Sequence, residues 1–126
     1  QGDEKTMIMK VPVENFVELN VSHQFLQSFP FLNHIYKDIT LDTCLDFIST
    51  KQKQGYQFFA LYHDTHIVAL ASINWCMKRK NVYVQGLITE PCSVFSDQYI
   101  KKVVLDSLYE WITNKGADSM QVECLV

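Results

Sequence analysis

Apolar residues recur along the chain with two periods, one near 3.6 and one near 2, and the switches between them divide it into helices and strands. Met7 to Val13 reads as a first strand: Ile8 and Val11 are β-formers, and Pro12 suits a strand end or an edge. Val17, Val21 and Phe25 then recur every four residues, with Leu26 and Phe29 widening the stripe. That spacing predicts a helix over Glu14–Phe29. Phe29 to Thr40 holds Pro30 and Asn33 but also Phe31, Leu32, Ile35 and Tyr36, which predicts a packed connection containing a short helix. Thr40 is placed to cap a second long helix, with Asp42 in its first turn. Leu41, Cys44, Leu45 and Ile48 form its apolar face, and Gly55 follows its end near Gln54.

The period then shortens. Tyr56–Tyr62 and Ile67–Trp75 read as two strands joined by the tight turn His63-Asp64-Thr65-His66. Lys78–Asn81 turn the chain again, and Val82–Thr89 makes a third strand of a meander. Alternation puts Phe58 and Ala60 on one face, Phe59 and Leu61 on the other. Both faces are apolar, so this strand is expected in the middle of a sheet covered on both sides. Ile100, Val103, Val104, Leu108, Trp111 and Ile112 lie on one helical face, with Lys115 and Gly116 as the C-terminal signal. Met120–Leu125 is a last strand. The order β-α-α-β-β-β-α-β predicts an α/β (α+β) fold, a mixed and mostly antiparallel sheet flanked by helices.

The length of 126 residues and an apolar fraction of 48% fit a single domain, taken here as residues 3–126. Gln1 and Gly2 are read as the remnant of a cleaved tag. A net charge of −3 gives no basic footprint for nucleic acid, and Lys78, Arg79 and Lys80 fall on a turn. No apolar run reaches the roughly 18 residues that a membrane span needs. Cys44, Cys76, Cys92 and Cys124 have no metal-ligand spacing, which argues against a zinc site. Reduced thiols and the absence of a charged-then-apolar leader place the protein in the cytoplasm. There is no G-x-S-x-G nucleophile, no Walker loop and no dinucleotide glycine loop. His63 and His66 flank a turn, and His23 and His34 read as surface or partly packed groups.

Several segments together resemble the GNAT superfamily of N-acetyltransferases. Gly55-Tyr56-Gln57-Phe58-Phe59-Ala60-Leu61, followed by Asp64-Thr65-His66-Ile67-Val68-Ala69-Leu70-Ala71, is similar to that family's second and third strands. Val82 to Pro91, ending Leu87-Ile88-Thr89-Glu90-Pro91, resembles its fourth, and Leu105–Ala117 resembles its third helix and the turn beyond. The resemblance implies a GNAT-like acyl-CoA N-acyltransferase fold, acetyl-coenzyme A (acetyl-CoA) as cofactor and a small-molecule or peptide amine as acceptor. It places the cofactor site at Leu87, Ile88, Thr89, Ser96, Asp97, Gln98, Tyr99, Ile100, Lys101 and Lys102. Main-chain amides near Leu87 and Ile88 would polarise the thioester. Those at the helix head would receive the pyrophosphate.

The family's motif there, Arg/Gln-x-x-Gly-x-Gly/Ala, is altered. The Arg/Gln position falls at Ser96, the two small positions at Tyr99 and Lys101, and no glycine stands between Gly86 and Gly116. Ser96-Asp97 also reads as an ordinary helix cap. Where relatives carry strand-four acids this chain has Gln85 and Gly86, which leaves the catalytic residues unassigned. Glu90 is the carboxylate nearest the implied amine, and Glu123 in the last strand reads as a solvated charge. The chain stops at Val126, before the helix and strands that usually follow strand five. Two alternatives therefore stand beside an active transferase. One is an inactive GNAT-fold binding or regulatory module, and the other is part of a larger or homodimeric GNAT protein.

Overall fold

The computed structural model describes residues 15–76, 78–90 and 95–123. The strand expected over Met7–Val13 lies outside them. Five strands form one sheet in the order β1-β2-β3-β4-β5. They are β1 (Asn15–Glu18), β2 (Tyr56–His63), β3 (His66–Cys76), β4 (Asn81–Thr89) and β5 (Ser119–Val122). The first four pair antiparallel in succession, and β5 joins β4 in parallel. The helices are α1 (Ser22–Gln27), α2 (Phe29–Ile35), α3 (Cys44–Lys53) and α4 (Asp97–Asn114). The connection from β4 to β5 carries α4, the crossover that a parallel pair requires.

The helix expected over Glu14–Phe29 is not one helix. Asn15–Glu18 is a strand that pairs with Phe59–Tyr62, and only Ser22–Gln27 is helical. The four-residue spacing misled because Val17 and Val21 face outward, at 36% and 48% exposure. The inward residues are Phe16, stacked 5.4 Å from Phe59, and the buried Leu19. Gln24 then starts α1: its Oε1 accepts from the main-chain N–H of Asn20 (2.8 Å) and Val21 (3.1 Å), using donors that a helix start leaves over. The packed connection after Phe29 does contain a short helix, α2, with Pro30 in its first turn.

The two sheet faces carry separate cores. Phe58 and Ala60 pack with Leu19, Phe25, Leu32 and Ile48 under α1–α3. Phe59 and Leu61 pack with Ile100, Val104, Leu108 and Ile112 under α4. Phe58 and Phe59 are both fully buried, as a central strand predicts. Burial of each contributes about 1.5–3 kcal/mol. The hairpin turns use left-handed residues at Asp64 (φ 57°) and Lys80 (φ 51°). Gly116 (φ 100°) ends the α4 turn and lets Ala117 N–H reach back to Ile112 O at 3.0 Å.

Candidate functional site

The site begins where the described pairing of β4 with β5 ends. Parallel pairing runs from Asn81 with Ser119 to Val84 with Val122, and Glu123 N–H donates to Val84 O at 2.9 Å. The next residue on β4, Gln85, is extra: Ser72 faces Gly86 and Ile73 faces Val84, so Gln85 bulges. A bulge bends its strand and increases the local twist. Among the described residues, Gly86–Thr89 pairs with β3 alone. A strand edge free on the β5 side is the geometry in which an extended ligand can be received as an added strand. Gln85 Nε2 donates to Glu123 Oε1 at 3.3 Å, between β4 and the residue that follows β5.

At the far end of this edge stands the head of α4. Ser96 is extended (φ −73°, ψ 156°), and its Oγ accepts from Tyr99 N–H at 3.1 Å. Asp97 completes the cap electrostatically, because a carboxylate in the first turn opposes the helix dipole. Thr89 Oγ1 donates to Asp97 Oδ1, and Lys101 Nζ lies 3.1 Å from Asp97 Oδ2. The Phe95 ring bridges His63 (5.3 Å) and Tyr99 (5.6 Å). A helix head that could attract an external anion thus already carries a hydroxyl cap, a carboxylate and an aromatic pair.

The predicted site residues separate into groups. Thr89, Ser96, Asp97, Tyr99 and Lys101 come together at the helix head. Leu87 and Ile100 do not present side chains there: both are fully buried in the core under α4, so only their main chain could serve a ligand. Gln98 is exposed. Lys102 points elsewhere and pairs with Asp106 at 2.8 Å, which holds its ammonium above its ordinary range. Ile88 and Thr89 line a cleft of about 240 Å³ with Pro30, Phe31, His34 and Glu90. An adjoining cleft of about 460 Å³ shares Pro30, Phe31 and Glu90 and is also lined by His63 and His66.

His34, read from the sequence as a surface or partly packed group, is exposed on α2 and lines the cleft beside Ile88. Sequence reasoning placed Tyr36 in a packed connection but missed its partner: its hydroxyl meets the buried Ser72 Oγ at 2.7 Å, one strand from Gly86. The one trace of this packing in the sequence is Gly86 itself, since α2 approaches β4 too closely there for a side chain. Burial drives the Tyr36 phenol above its ordinary range, the Ser72 hydrogen bond draws it back, and Tyr56 adds a further upward push. Among the described residues no group of three His, Cys, Asp or Glu could hold a metal ion, and no helix is long and apolar enough to cross a membrane.

A five-stranded, mostly antiparallel sheet flanked by helices is the fold of the GNAT-family acetyltransferases. Solved structures agree. The aminoglycoside acetyltransferase meta-AAC0020 from an uncultured soil metagenomic sample superposes with a TM-score of 0.69 at 13% identity, covering 88% of this chain and 77% of that one. AAC(6')-Iy, solved with a CoA-containing bisubstrate analogue, gives 0.66 at 16% identity over 88% and 79%. A Trypanosoma brucei acetyltransferase gives 0.64 at 14% over 88% and 84%. No family model matches the sequence, and no curated protein matches it.

Proposed function

We propose that this protein is an N-acetyltransferase that moves an acetyl group from acetyl-CoA to a small-molecule amine. The observation that carries the proposal is the course of β4: it bulges at Gln85, its pairing with β5 among the described residues ends at Val84, and the chain leads on to the head of α4. The pantetheine arm would run along Gln85–Thr89 as an added strand. A main-chain N–H near Leu87 or Ile88 would polarise the thioester carbonyl. The amine nitrogen would attack that carbon, the C–S bond would break, and the thiolate of coenzyme A would leave. The cleft lined by Ile88, His34 and Glu90 is where the acceptor would sit. Imidazole suits proton removal near neutral pH, so His34 is the base this reading assigns, with Glu90 beside it as a counter-charge for the ammonium form. Holding both reactants in line would supply most of the rate. Neighbours solved with coenzyme A or named for aminoglycosides support the cofactor class and the small-amine class.

A second reading is a GNAT-fold module that binds without catalysis. Asp97 and Tyr99 favour it, because they occupy the helix head with a negative charge and a ring. Thiol release from acetyl-CoA, followed across a panel of aminoglycosides, polyamines and peptide amines, separates the two. Amine-dependent release that falls at least about a hundredfold in His34→Gln supports the transferase. No release with any amine leaves the binding module.

A further inference from the structure

Lys51, in the last turn of α3, holds its ammonium against three aromatic rings. Its Nζ lies 4.7 Å from the ring centroid of Tyr56, 5.3 Å from Tyr36 and 5.5 Å from Phe47. All three distances are within the roughly 6 Å over which a ring face attracts a cation. The rings come from different places in the chain: Tyr36 from the C-cap of α2, Phe47 from α3 and Tyr56 from the start of β2. Tyr36 and Phe47 are held by contacts other than the lysine. Tyr36 and Phe47 pack 4.9 Å apart, Tyr36 sets its edge against Phe58 at 6.3 Å, and its hydroxyl is tied to the fully buried Ser72. Among the described residues Lys51 has no carboxylate within ion-pair distance, so the rings are its charge partners. Its four-carbon stem sacrifices rotamer freedom comparable in size to what the ring contacts return.

We propose that Tyr36, Phe47 and Tyr56 form a binding cage for an organic ammonium ion, with Lys51 as a built-in occupant that an external alkylammonium displaces. The rings offer negative faces and no acceptor that would select a primary amine, so the ligand class includes quaternary ammonium groups. The cage lies on the α1–α3 side of the sheet and does not rest on the transferase reading, because a quaternary ammonium has no N–H to acylate.

Choline and its neutral isostere 3,3-dimethylbutan-1-ol are the probes, titrated by NMR into the wild type and Lys51→Met. In Lys51→Met, choline binds saturably, at least tenfold tighter than to the wild type and tenfold tighter than the neutral isostere. Adding Tyr56→Leu abolishes the binding. In the wild type the Lys51 ε-methylene protons start upfield, inside the ring currents, and move downfield as choline is added. Equal affinity for the two probes, or no saturable binding to a Lys51→Met protein with native circular dichroism, overturns the cage. Should Lys51→Met not fold, Lys51→Gln and the wild-type ε-methylene shift decide the matter, and shifts that ignore choline contradict the proposal.

Discussion

Ile35 seats on Gly86 so closely that a Cβ added at Gly86 would lie 2.8 Å from both its Cδ1 and its Cγ2. This contact sets the height of α2 above β4, and with it the cleft that Ile88 and His34 share. Gly86→Ala should destabilise the fold by about 1–3 kcal/mol, because the branched Ile35 side chain has few rotamers into which to retreat. Ile35→Ala removes the obstructing atoms. In urea denaturation the double variant should therefore lose less than the sum of the two single losses.

The Tyr36–Ser72 hydrogen bond is the polar counterpart of that contact. Tyr36→Phe leaves the buried Ser72 hydroxyl without this partner and should cost about 1–3 kcal/mol. Removing both hydroxyls with Tyr36→Phe/Ser72→Ala should recover part of the loss. A double-mutant cycle in urea gives the coupling directly.

The same phenol predicts a pH dependence. Burial first of all holds the folded Tyr36 above its ordinary 10.0, so from about that pH upward the unfolded chain gives up the proton while the folded chain retains it. The unfolded state then binds fewer protons, and stability falls as pH rises. Below that value the contribution is fully present. Tyr36→Phe should flatten the decline in chemical denaturation measured above pH 10, and Tyr62, also raised by burial, should retain a part of it.

The head of α4 yields to two opposite changes. Ser96→Ala removes the oxygen that accepts from Tyr99 N–H and should cost about 0.5–2 kcal/mol of stability. Asp97→Asn removes the negative charge and leaves an amide oxygen for Thr89. It should tighten coenzyme A binding by about two- to fivefold in calorimetric titration, the factor equivalent to roughly 0.3–1 kcal/mol of helix-dipole interaction. If the affinity is unchanged, the diphosphate does not lie at this helix head.

Much of this architecture was legible because its signals are local. The meander from Tyr56 to Thr89 follows from alternation and two turns, and α4 follows from one apolar face between the Ser96 cap and Gly116. The opening segment was not legible in the same way. Val17, Val21 and Phe25 share a spacing that a helix would use, but pairing with Phe59–Tyr62 extends Asn15–Glu18 and turns Val17 outward. That pairing joins residues some forty positions apart, which no local period encodes. The candidate site divides likewise. The Ser96 cap and the missing glycines can be read from adjacent residues, whereas the Gln85 bulge, the placement of His34 and the Lys51 cage exist only after the helices settle on the sheet.

Thermal unfolding with and without coenzyme A tests the central claim, that the edge of β4 beyond Val84 receives the cofactor. At a hundredfold excess over its dissociation constant, the cofactor should stabilise the fold by about 2.7 kcal/mol. For a domain of this size that is a rise of several degrees in Tm. An unchanged Tm at millimolar coenzyme A and acetyl-CoA would contradict the account.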